Sequence, residues 1–157
     1  MVKIVTGKIN SYKTTKLENI YRKIKNGDGF IAKKTMKNDL VYGYTLVRLS
    51  NGDKTPFIIR DIYYDNNKDI IYKLGPYLFY KDAFNYINET VNEWIKKDIN
   101  PIFIDEISIL ELQEKGYYKI LMKLLSLNKD LYLVVRSDLI EKVIKKFRIK
   151  EFQIIRG

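Results

Sequence analysis

The chain has 157 residues, 46% of them hydrophobic and 31% charged, a balance that predicts one globular domain over residues 1–157. It contains neither Cys nor His, which excludes disulfides, zinc sites built from these residues and acid–base catalysis by His. The formal net charge of +10 suits nucleic acid, but the excess Lys is spread along the whole chain, so nucleic-acid binding is not the favoured interpretation.

The chain begins with the pattern of a strand followed by a helix. The run VKIV at 2–5 is typical of a short buried strand, and apolar residues then recur at helical spacing over 14–27. The apolar face of this helix carries Leu17, Ile20 and Ile24. We expect Gly27 and Gly29 to end the helix.

The remaining residues predict an antiparallel section and then alternating helices and strands. Four β-rich runs separated by turn residues occupy 29 to about 75. After them, helices are predicted at 80–100, near 114–128 and near 138–147, and strands at 101–105, 131–135 and 152–156. Asp82 is the expected N-cap of the first of these helices. The predicted fold class is therefore α/β, with a mostly parallel sheet flanked by helices.

The hydropathy pattern predicts no membrane segment. No apolar run approaches the ~18 residues that a membrane span requires. The N-terminus also lacks a basic stretch followed by an apolar one. We therefore expect a cytoplasmic protein without a membrane partner.

The stretch GKINSYKTT at 7–15 matches most of a phosphate-binding loop. The pattern G-x-x-x-x-G-K-[ST] wraps phosphates in backbone N–H groups, while its Lys reaches the outer phosphates and its hydroxyl binds Mg²⁺. Gly7, Lys13 and Thr14 fit this spacing between a predicted strand and a predicted helix, but Tyr12 replaces the second Gly. The residues expected to contact a nucleotide are Gly7, Asn10, Ser11, Tyr12, Lys13, Thr14 and Thr15.

A second signal follows the predicted strand at 101–105, where Asp105 and Glu106 stand together. In phosphate-loop enzymes an acid at a strand end holds the Mg²⁺ shell, and an adjacent Glu orients or deprotonates the attacking water. Solvated acids are common at strand ends, but the presence of Lys13 and Thr14 favours the catalytic interpretation. Arg136, just after the strand at 131–135, is a candidate contact for the terminal phosphate, although a solvated charge at a strand end fits this position at least equally well.

These residues and several others resemble one family. The stretch FIDEISILEL resembles the Asp-Glu-Ile-Gly-x-x-Glu-Leu segment of the cancer-related nucleoside-triphosphatases. GFIAKK, YGYTLVRLSNGDKTPF and YKLGPYLFYKDAFNYIN resemble further segments of that family, in the same order. The resemblance runs from residue 2 to about 155.

The resemblance implies a P-loop fold, Mg²⁺ as cofactor, and ATP or GTP as the nucleoside triphosphate that is hydrolysed. It implies that Lys13 holds the β- and γ-phosphates and that Glu106 acts on the water. Thr14 and Asp105 would bind the Mg²⁺. Lys13, Glu106 and Arg136 form the expected catalytic set, whereas Glu111 matches a family acid for which no role follows from the sequence.

The loop departs from the family at Asn10 and Tyr12, where its members have Gly. Asn visits positive φ through local hydrogen bonds, but a left-handed Tyr costs about 1–2 kcal/mol. With a negative φ at Tyr12, the backbone N–H groups that bind phosphate in such a loop would take different positions. The sequence therefore leaves open whether this degenerate Walker A loop still closes on a triphosphate.

Two alternatives to hydrolysis remain open. The first is a non-catalytic P-loop scaffold that binds a protein or nucleic acid, which Tyr12 and the basic charge suggest. The second is a nucleotide kinase, which is less favoured because Arg48 and Arg60 are the only arginines in the β-rich section and cannot form an arginine-rich lid.

Overall fold

The computed structural model describes residues 1–8 and 12–156, and its strands form one sheet. The strands are β1 Val2–Gly7, β2 Asp28–Lys37, β3 Leu40–Arg48, β4 Lys54–Arg60, β5 Ile70–Leu74, β6 Tyr77–Tyr80, β7 Ile102–Ile107, β8 Leu131–Arg136 and β9 Phe152–Arg156. The helices are α1 Lys13–Ile24, α2 Lys81–Lys96, α3 Ile109–Leu112, α4 Tyr118–Ser126 and α5 Ile140–Phe147. Short 3₁₀ turns lie at Asp61–Tyr63 and Ser137–Leu139.

The sheet has a parallel half and an antiparallel half that share β2. In the part of the chain that the structure describes, nine strands run in the order β5-β6-β4-β3-β2-β7-β8-β1-β9. Pairing is parallel from β2 to β9 and antiparallel from β2 to β5. This arrangement confirms the predicted α/β class. The antiparallel section continues to Tyr80, because β6, which the sequence did not predict, pairs with both β4 and β5.

Each face of the sheet has its own apolar core. The larger core contains the buried residues of α2, α3, α4 and α5, whereas the smaller one contains Leu17 of α1. In α2 the buried side chains recur at helical spacing: Ala83, Phe84, Ile87, Val91 and Trp94. Four helices therefore cover one face, and α1 covers the other over the parallel strands.

The predicted end of α1 is wrong by about two residues. The helix ends at Ile24, and Lys25 takes the left-handed C-cap conformation with a φ of 55°. Gly29 instead lies in β2, where a Cβ would come within 2.1 Å of the Phe103 carbonyl oxygen. This glycine therefore permits the close approach of β2 and β7.

The predicted N-cap of α2 is also wrong, because the helix begins at Lys81 with Asp82 inside its first turn. The Lys81 N–H donates to the backbone carbonyl of Asp69 (3.0 Å), so no side-chain cap is needed there. The Asp82 carboxylate still carries the charge that favours a helix N-terminus. None of the helices in the described part of the chain has the length and apolar character to cross a membrane.

A buried acid, Asp28, ties the start of β2 to three other parts of the fold. Only 2% of this residue is exposed. Its carboxylate accepts hydrogen bonds from Arg48 Nε (2.7 Å), Trp94 Nε1 (2.9 Å), the Ser50 hydroxyl and N–H, and the Gly29 N–H. Because Trp94 belongs to α2 and Arg48 to β3, this network fixes the junction between the two halves of the sheet.

Candidate functional site

A cleft of about 450 Å³ opens at the carboxyl ends of the parallel strands. The charged and hydroxyl side chains that line its polar end are Lys13, Thr14, Asp105, Glu106 and Arg136. They come from the start of α1, from β7 and from β8. The predicted metal and catalytic residues therefore share one cavity, although more than 90 residues of sequence separate Thr14 from Asp105.

The side chains of Thr14 and Asp105 are hydrogen-bonded to each other at the polar end of the cleft. The Thr14 hydroxyl donates to Asp105 Oδ2 (2.8 Å), which also accepts the Ala32 N–H (3.0 Å). Asp105 is 4% exposed, and its other oxygen, Oδ1, has no hydrogen-bond partner among residues 1–8 and 12–156. Burial raises the pKa of Asp105 to about 6, while the Ala32 N–H and the Thr14 hydroxyl lower it.

The donors at this position suit a magnesium ion. Mg²⁺ prefers oxygen ligands and is commonly held by one or two carboxylates together with substrate phosphates. The unpartnered Asp105 Oδ1 and the Thr14 hydroxyl provide such oxygens. The described residues contain no group of three or more acidic side chains that could hold a metal ion.

Glu106 reaches the same cleft because β7 contains a bulge. Ile104 pairs with Leu133 and Ile107 with Val135, so β7 has one residue more than β8 at this point. Within the bulge Glu106 has a φ of 62°. Successive side chains of a regular strand point to opposite faces, whereas a bulge redirects one of them. Asp105 and Glu106 therefore line one cavity, and Glu106 takes the unfavourable left-handed backbone conformation to do so.

The surroundings of Glu106 favour its protonated form more than water does. Burial of the carboxyl group within the cleft raises its pKa to about 7, and the neighbouring Asp105 charge adds to the rise. Lys13 and Arg136 lower the pKa from the other side. The side chain keeps access to solvent, so it can exchange a proton near neutral pH.

Tyr12 takes the conformation of the glycine it replaces. Its φ is 59° and its ψ is 35°, and its carbonyl accepts the Lys16 N–H (3.0 Å) in the first turn of α1. The side chain is 82% exposed and does not line the cleft. The structure therefore shows the positive φ that the sequence left open, and the aromatic ring does not fill the cavity.

The other loop residues differ in what the structure describes. Gly7 is the last residue of β1, and Thr15 is exposed in the first turn of α1. Lys13 Nζ donates to the Lys8 carbonyl (2.9 Å), so its ammonium group lies beside the loop backbone. The expected contacts of Asn10 and Ser11 lie outside the described residues.

Arg136 ends β8, the strand between β1 and β7. Its guanidinium makes a two-point ion pair with Asp138, with Nε 2.5 Å and Nη2 3.0 Å from the carboxylate oxygens. Asp138 holds the pKa of Arg136 above its ordinary value, with Glu106 adding to this. The arginine therefore lies at the cleft, already paired with an acid.

Glu111, which had no predicted role, secures the wall of the cleft. It is 3% exposed, and its carboxylate accepts the Ser108 N–H and the Tyr117 N–H, both at 2.9 Å. A Cβ at Gly116 would lie 2.2 Å from its Oε2, so the glycine leaves room for this contact. Glu111 thus joins the start of α3 to the start of α4.

The titration of Glu111 predicts a pH-dependent stability. Burial raises its pKa to about 7 from an ordinary 4.5. Since the folded protein binds this proton more tightly than the unfolded chain, its stabilising contribution is complete below pH 4.5 and is lost as the pH rises through 7. The loss amounts to at most about 3 kcal/mol.

Urea unfolding of the parent and of Glu111→Gln at pH 5 and pH 8 measures this effect. The variant cannot titrate at this position, so the stability of the parent relative to it should fall between the two pH values. A difference that stays constant with pH would show that folding does not raise the pKa of Glu111.

The sequence did not identify the apolar end of the cleft. Its lining includes Tyr44, Phe57, Leu74, Tyr77, Phe79 and Phe84. Phe84 was predicted on the apolar face of its helix, and the other five lie in or beside the β-rich section. Alternation or helical spacing is the same for a side chain that fills a core and for one that borders a cavity, so the pattern contained no signal for this surface.

Comparison with known proteins relates the chain to one family and to two solved structures. A family described as NTPase matches residues 3–156. The fold is similar to the crystal structure of THEP1 from the hyperthermophile Aquifex aeolicus, with a TM-score of 0.70 and 22% identity over 99% of this chain and 89% of that chain. It is also similar to the solution structure of a human cancer-related nucleoside triphosphatase, with a TM-score of 0.62 and 19% identity over 98% of this chain and 86% of that chain. No curated protein sequence matches the chain.

Proposed function

The chain belongs to the NTPase family, and on that premise we propose that it binds a Mg²⁺–nucleoside triphosphate, ATP or GTP, and hydrolyses it to the diphosphate and phosphate. The observation that carries this proposal is the hydrogen bond between the Thr14 hydroxyl and the Asp105 carboxylate. Lys13 and Glu106 line the same cleft. This arrangement brings a loop hydroxyl, a buried strand-end carboxylate and a second acid to one point. In phosphate-loop enzymes a loop hydroxyl and a strand-end carboxylate hold the metal, and a further polar residue orients the attacking water.

Lys13, Thr14 and Asp105 are the proposed phosphate and metal ligands. Lys13 would neutralise the β- and γ-phosphates, exchanging its contact with the Lys8 carbonyl for phosphate oxygens. Thr14 and the unpartnered Oδ1 of Asp105 would hold Mg²⁺. When bound, the metal supplies charge that stabilises the phosphate oxygens during transfer.

Glu106 is the proposed base. Its carboxylate would orient the attacking water and accept the proton as the water oxygen bonds to the γ-phosphorus and the bond to the bridging oxygen breaks. The pKa near 7 leaves much of the group ionised at neutral pH, and access to solvent allows the proton to leave afterwards. The bulge in β7 supports this role, since it directs Glu106 into the cleft beside Asp105.

Arg136 is the proposed contact to the γ-phosphate. A guanidinium offers parallel N–H groups that match phosphate oxygens. Its position at the end of β8, between the loop strand and the acid strand, supports this assignment. Its pairing with Asp138 means that the arginine would share or exchange this partner when a phosphate binds.

Isothermal titration with Mg²⁺-ATP and Mg²⁺-GTP, followed by an assay of phosphate release, tests the proposal. We expect saturable binding to the parent protein and a loss of binding in Lys13→Ala. Lys16→Ala is the matched control, because Lys16 is exposed one turn further along α1. Absence of binding at millimolar nucleotide would refute nucleotide binding as well as hydrolysis.

Substitution of Tyr12 tests whether this residue obstructs the loop. Because its backbone is already left-handed and its ring is exposed, Tyr12→Gly should change nucleotide affinity by less than about threefold, below the tenfold that 1.4 kcal/mol represents. Tyr12→Val should weaken binding and lower stability, since β-branched residues avoid this region.

Lys25→Gly at the other end of α1 is the control for Tyr12→Gly. Lys25 is also left-handed, with a φ of 55°, and does not line the cleft. The Lys25→Gly variant therefore measures how glycine at a left-handed position affects the protein when no residue of the cleft is changed. An affinity gain of tenfold or more in Tyr12→Gly alone would show that the tyrosine hinders phosphate.

A further inference from the structure

The cleft continues well past the phosphate-binding end. Beyond Glu106 it is bordered by six apolar and aromatic side chains that we call the aromatic chamber: Tyr44, Phe57, Leu74, Tyr77, Phe79 and Phe84. An attacking water occupies about 30 Å³, whereas the whole cleft measures about 450 Å³, within the range of small-molecule sites. Part of this volume must hold the terminal phosphate, and the apolar lining shows that the cleft extends beyond that part.

The position of the chamber relates it to the terminal phosphate. Across the sheet the order is β1 with the loop, β8 with Arg136, β7 with Asp105 and Glu106, and then β2, β3 and β4. The chamber belongs to the last part of this series, on the far side of β7 from the loop. In an in-line transfer the nucleophile approaches opposite the leaving group. The chamber thus lies on the side from which a nucleophile would come.

The chemistry of the lining limits what can enter. Among its described side chains the cleft has two cations, Lys13 and Arg136, and both belong to the phosphate end. Arg60 does not line the cleft, and it is already engaged by the Val41 carbonyl (2.7 Å) and by the hydroxyl of the chamber residue Tyr77 (3.3 Å). The described lining of the chamber therefore offers no cation for a second phosphate, which argues against a nucleoside monophosphate.

The same lining favours a flat, uncharged molecule. Phe84 makes tilted contacts with the rings of Phe57 and Phe79, at 5.6 and 6.4 Å between centroids. Tyr44 and Tyr77, with ring centroids 6.0 Å apart, add two phenol hydroxyls to these apolar walls. Rings of this kind bind planar groups, and the hydroxyls can bond a polar substituent.

We propose that the aromatic chamber binds an uncharged alcohol that carries a ring, of about nucleoside size, and that the protein transfers the terminal phosphoryl group to it. The hydroxyl oxygen of the alcohol bonds to the γ-phosphorus, and the bond from phosphorus to the β,γ-bridging oxygen breaks. The hydroxyl proton passes to Glu106, and the nucleoside diphosphate leaves. This inference rests on the proposed nucleotide site.

A pocket-filling variant tests the chamber. Leu74 lies on β5 at the edge of the sheet and lines the chamber, so Leu74→Trp should fill it. Ile71→Trp is the matched control, because Ile71 belongs to the same strand, is 40% exposed and does not line the cleft. Each protein is incubated with Mg²⁺ and γ-labelled ATP together with ribonucleosides or benzylic alcohols, and the labelled products are separated.

We expect a labelled phosphate ester with at least one acceptor, formed by the parent and by Ile71→Trp. Leu74→Trp should form it at least about tenfold more slowly, because the larger side chain occupies the space that the acceptor needs. If nucleotide binds by calorimetry but inorganic phosphate is the only labelled product with every acceptor, the transfer is refuted while hydrolysis stands.

Saturation-transfer NMR of the same alcohols, recorded without nucleotide, tests the chamber separately. Binding to the parent and loss of binding in Leu74→Trp support it, even if calorimetry finds no nucleotide site. If no alcohol binds, or if Leu74→Trp binds as well as the parent, the chamber is not an acceptor site.

Discussion

Replacement of Glu106 by glutamine should lower kcat for nucleotide hydrolysis by about 10²–10⁴-fold, the usual contribution of a positioned base. Glutamine keeps the size of the side chain and the bulge of β7 but cannot accept the proton of the attacking water. Nucleotide affinity should stay within about threefold of the parent, since the proposed phosphate and metal ligands are unchanged. Single-turnover phosphate release and calorimetric titration measure the two quantities.

Glu114→Gln provides an unusually close control. Glu114 is also a left-handed glutamate, with a φ of 63°, but it is exposed, pairs with Lys146 and does not line the cleft. Its substitution should leave kcat unchanged. If Glu106→Gln retains more than a third of the parental rate, the proton of the water must go elsewhere.

Glu106→Gly separates the strain at this position from its chemistry. A left-handed non-glycine residue costs about 1–2 kcal/mol, which glycine avoids. We therefore expect this variant to be at least as stable as the parent and to have lost hydrolysis. Lower stability would show that contacts of the Glu106 side chain outweigh the strain of its backbone.

Replacement of Asp28 by alanine should destabilise the fold by about 3–5 kcal/mol, because it leaves the partly buried charge of Arg48 with only its longer contact to Glu93 (3.5 Å). The Trp94 N–H and the Gly29 N–H would also lose their acceptor. The free energy of unfolding in urea measures the effect. Asp28→Asn keeps one acceptor oxygen and the side-chain volume, so it gives a smaller loss and remains measurable if the alanine variant does not fold.

Asp53→Ala is the control for this prediction. Asp53 lies in the turn after β3 and accepts bonds from Asn51 Nδ2 (3.1 Å) and the Tyr86 hydroxyl (3.2 Å), but it is exposed. Exposed substitutions of this kind change stability by about 0.5 kcal/mol. A loss below about 1 kcal/mol in Asp28→Ala would mean that the buried network is replaceable.

The sequence predicted those parts of the site that depend on local pattern. Gly7 ends β1, and Lys13 and Thr14 begin α1, as the predicted strand and helix required. Asp105, predicted as the last residue of its strand, lies two residues before the end of β7. Parallel strands bring their carboxyl ends to one edge, so the convergence of these residues followed from the predicted α/β class. Helix α2 was also predicted from local pattern, because its apolar residues recur at clear helical spacing.

What the sequence could not predict depends on contacts between distant segments. The bulge that directs Glu106 into the cleft appears only in the pairing of β7 with β8, and strand alternation alone would have placed it opposite Asp105. Asp28 stands before Gly29 like a residue of an ordinary turn, yet its partners are as far away as Trp94. The conformation of Tyr12 likewise could not be chosen from its residue type.

The central place of β1 in the parallel half also affects when the nucleotide site can form during synthesis. β1 pairs with β8 and β9, which are translated more than a hundred residues later, so β1 cannot complete its pairing until residue 156 has left the ribosome. Strands β2 to β6 pair with near neighbours in the sequence and need not wait. A ribosome-bound chain should therefore acquire its antiparallel sheet first and nucleotide affinity last.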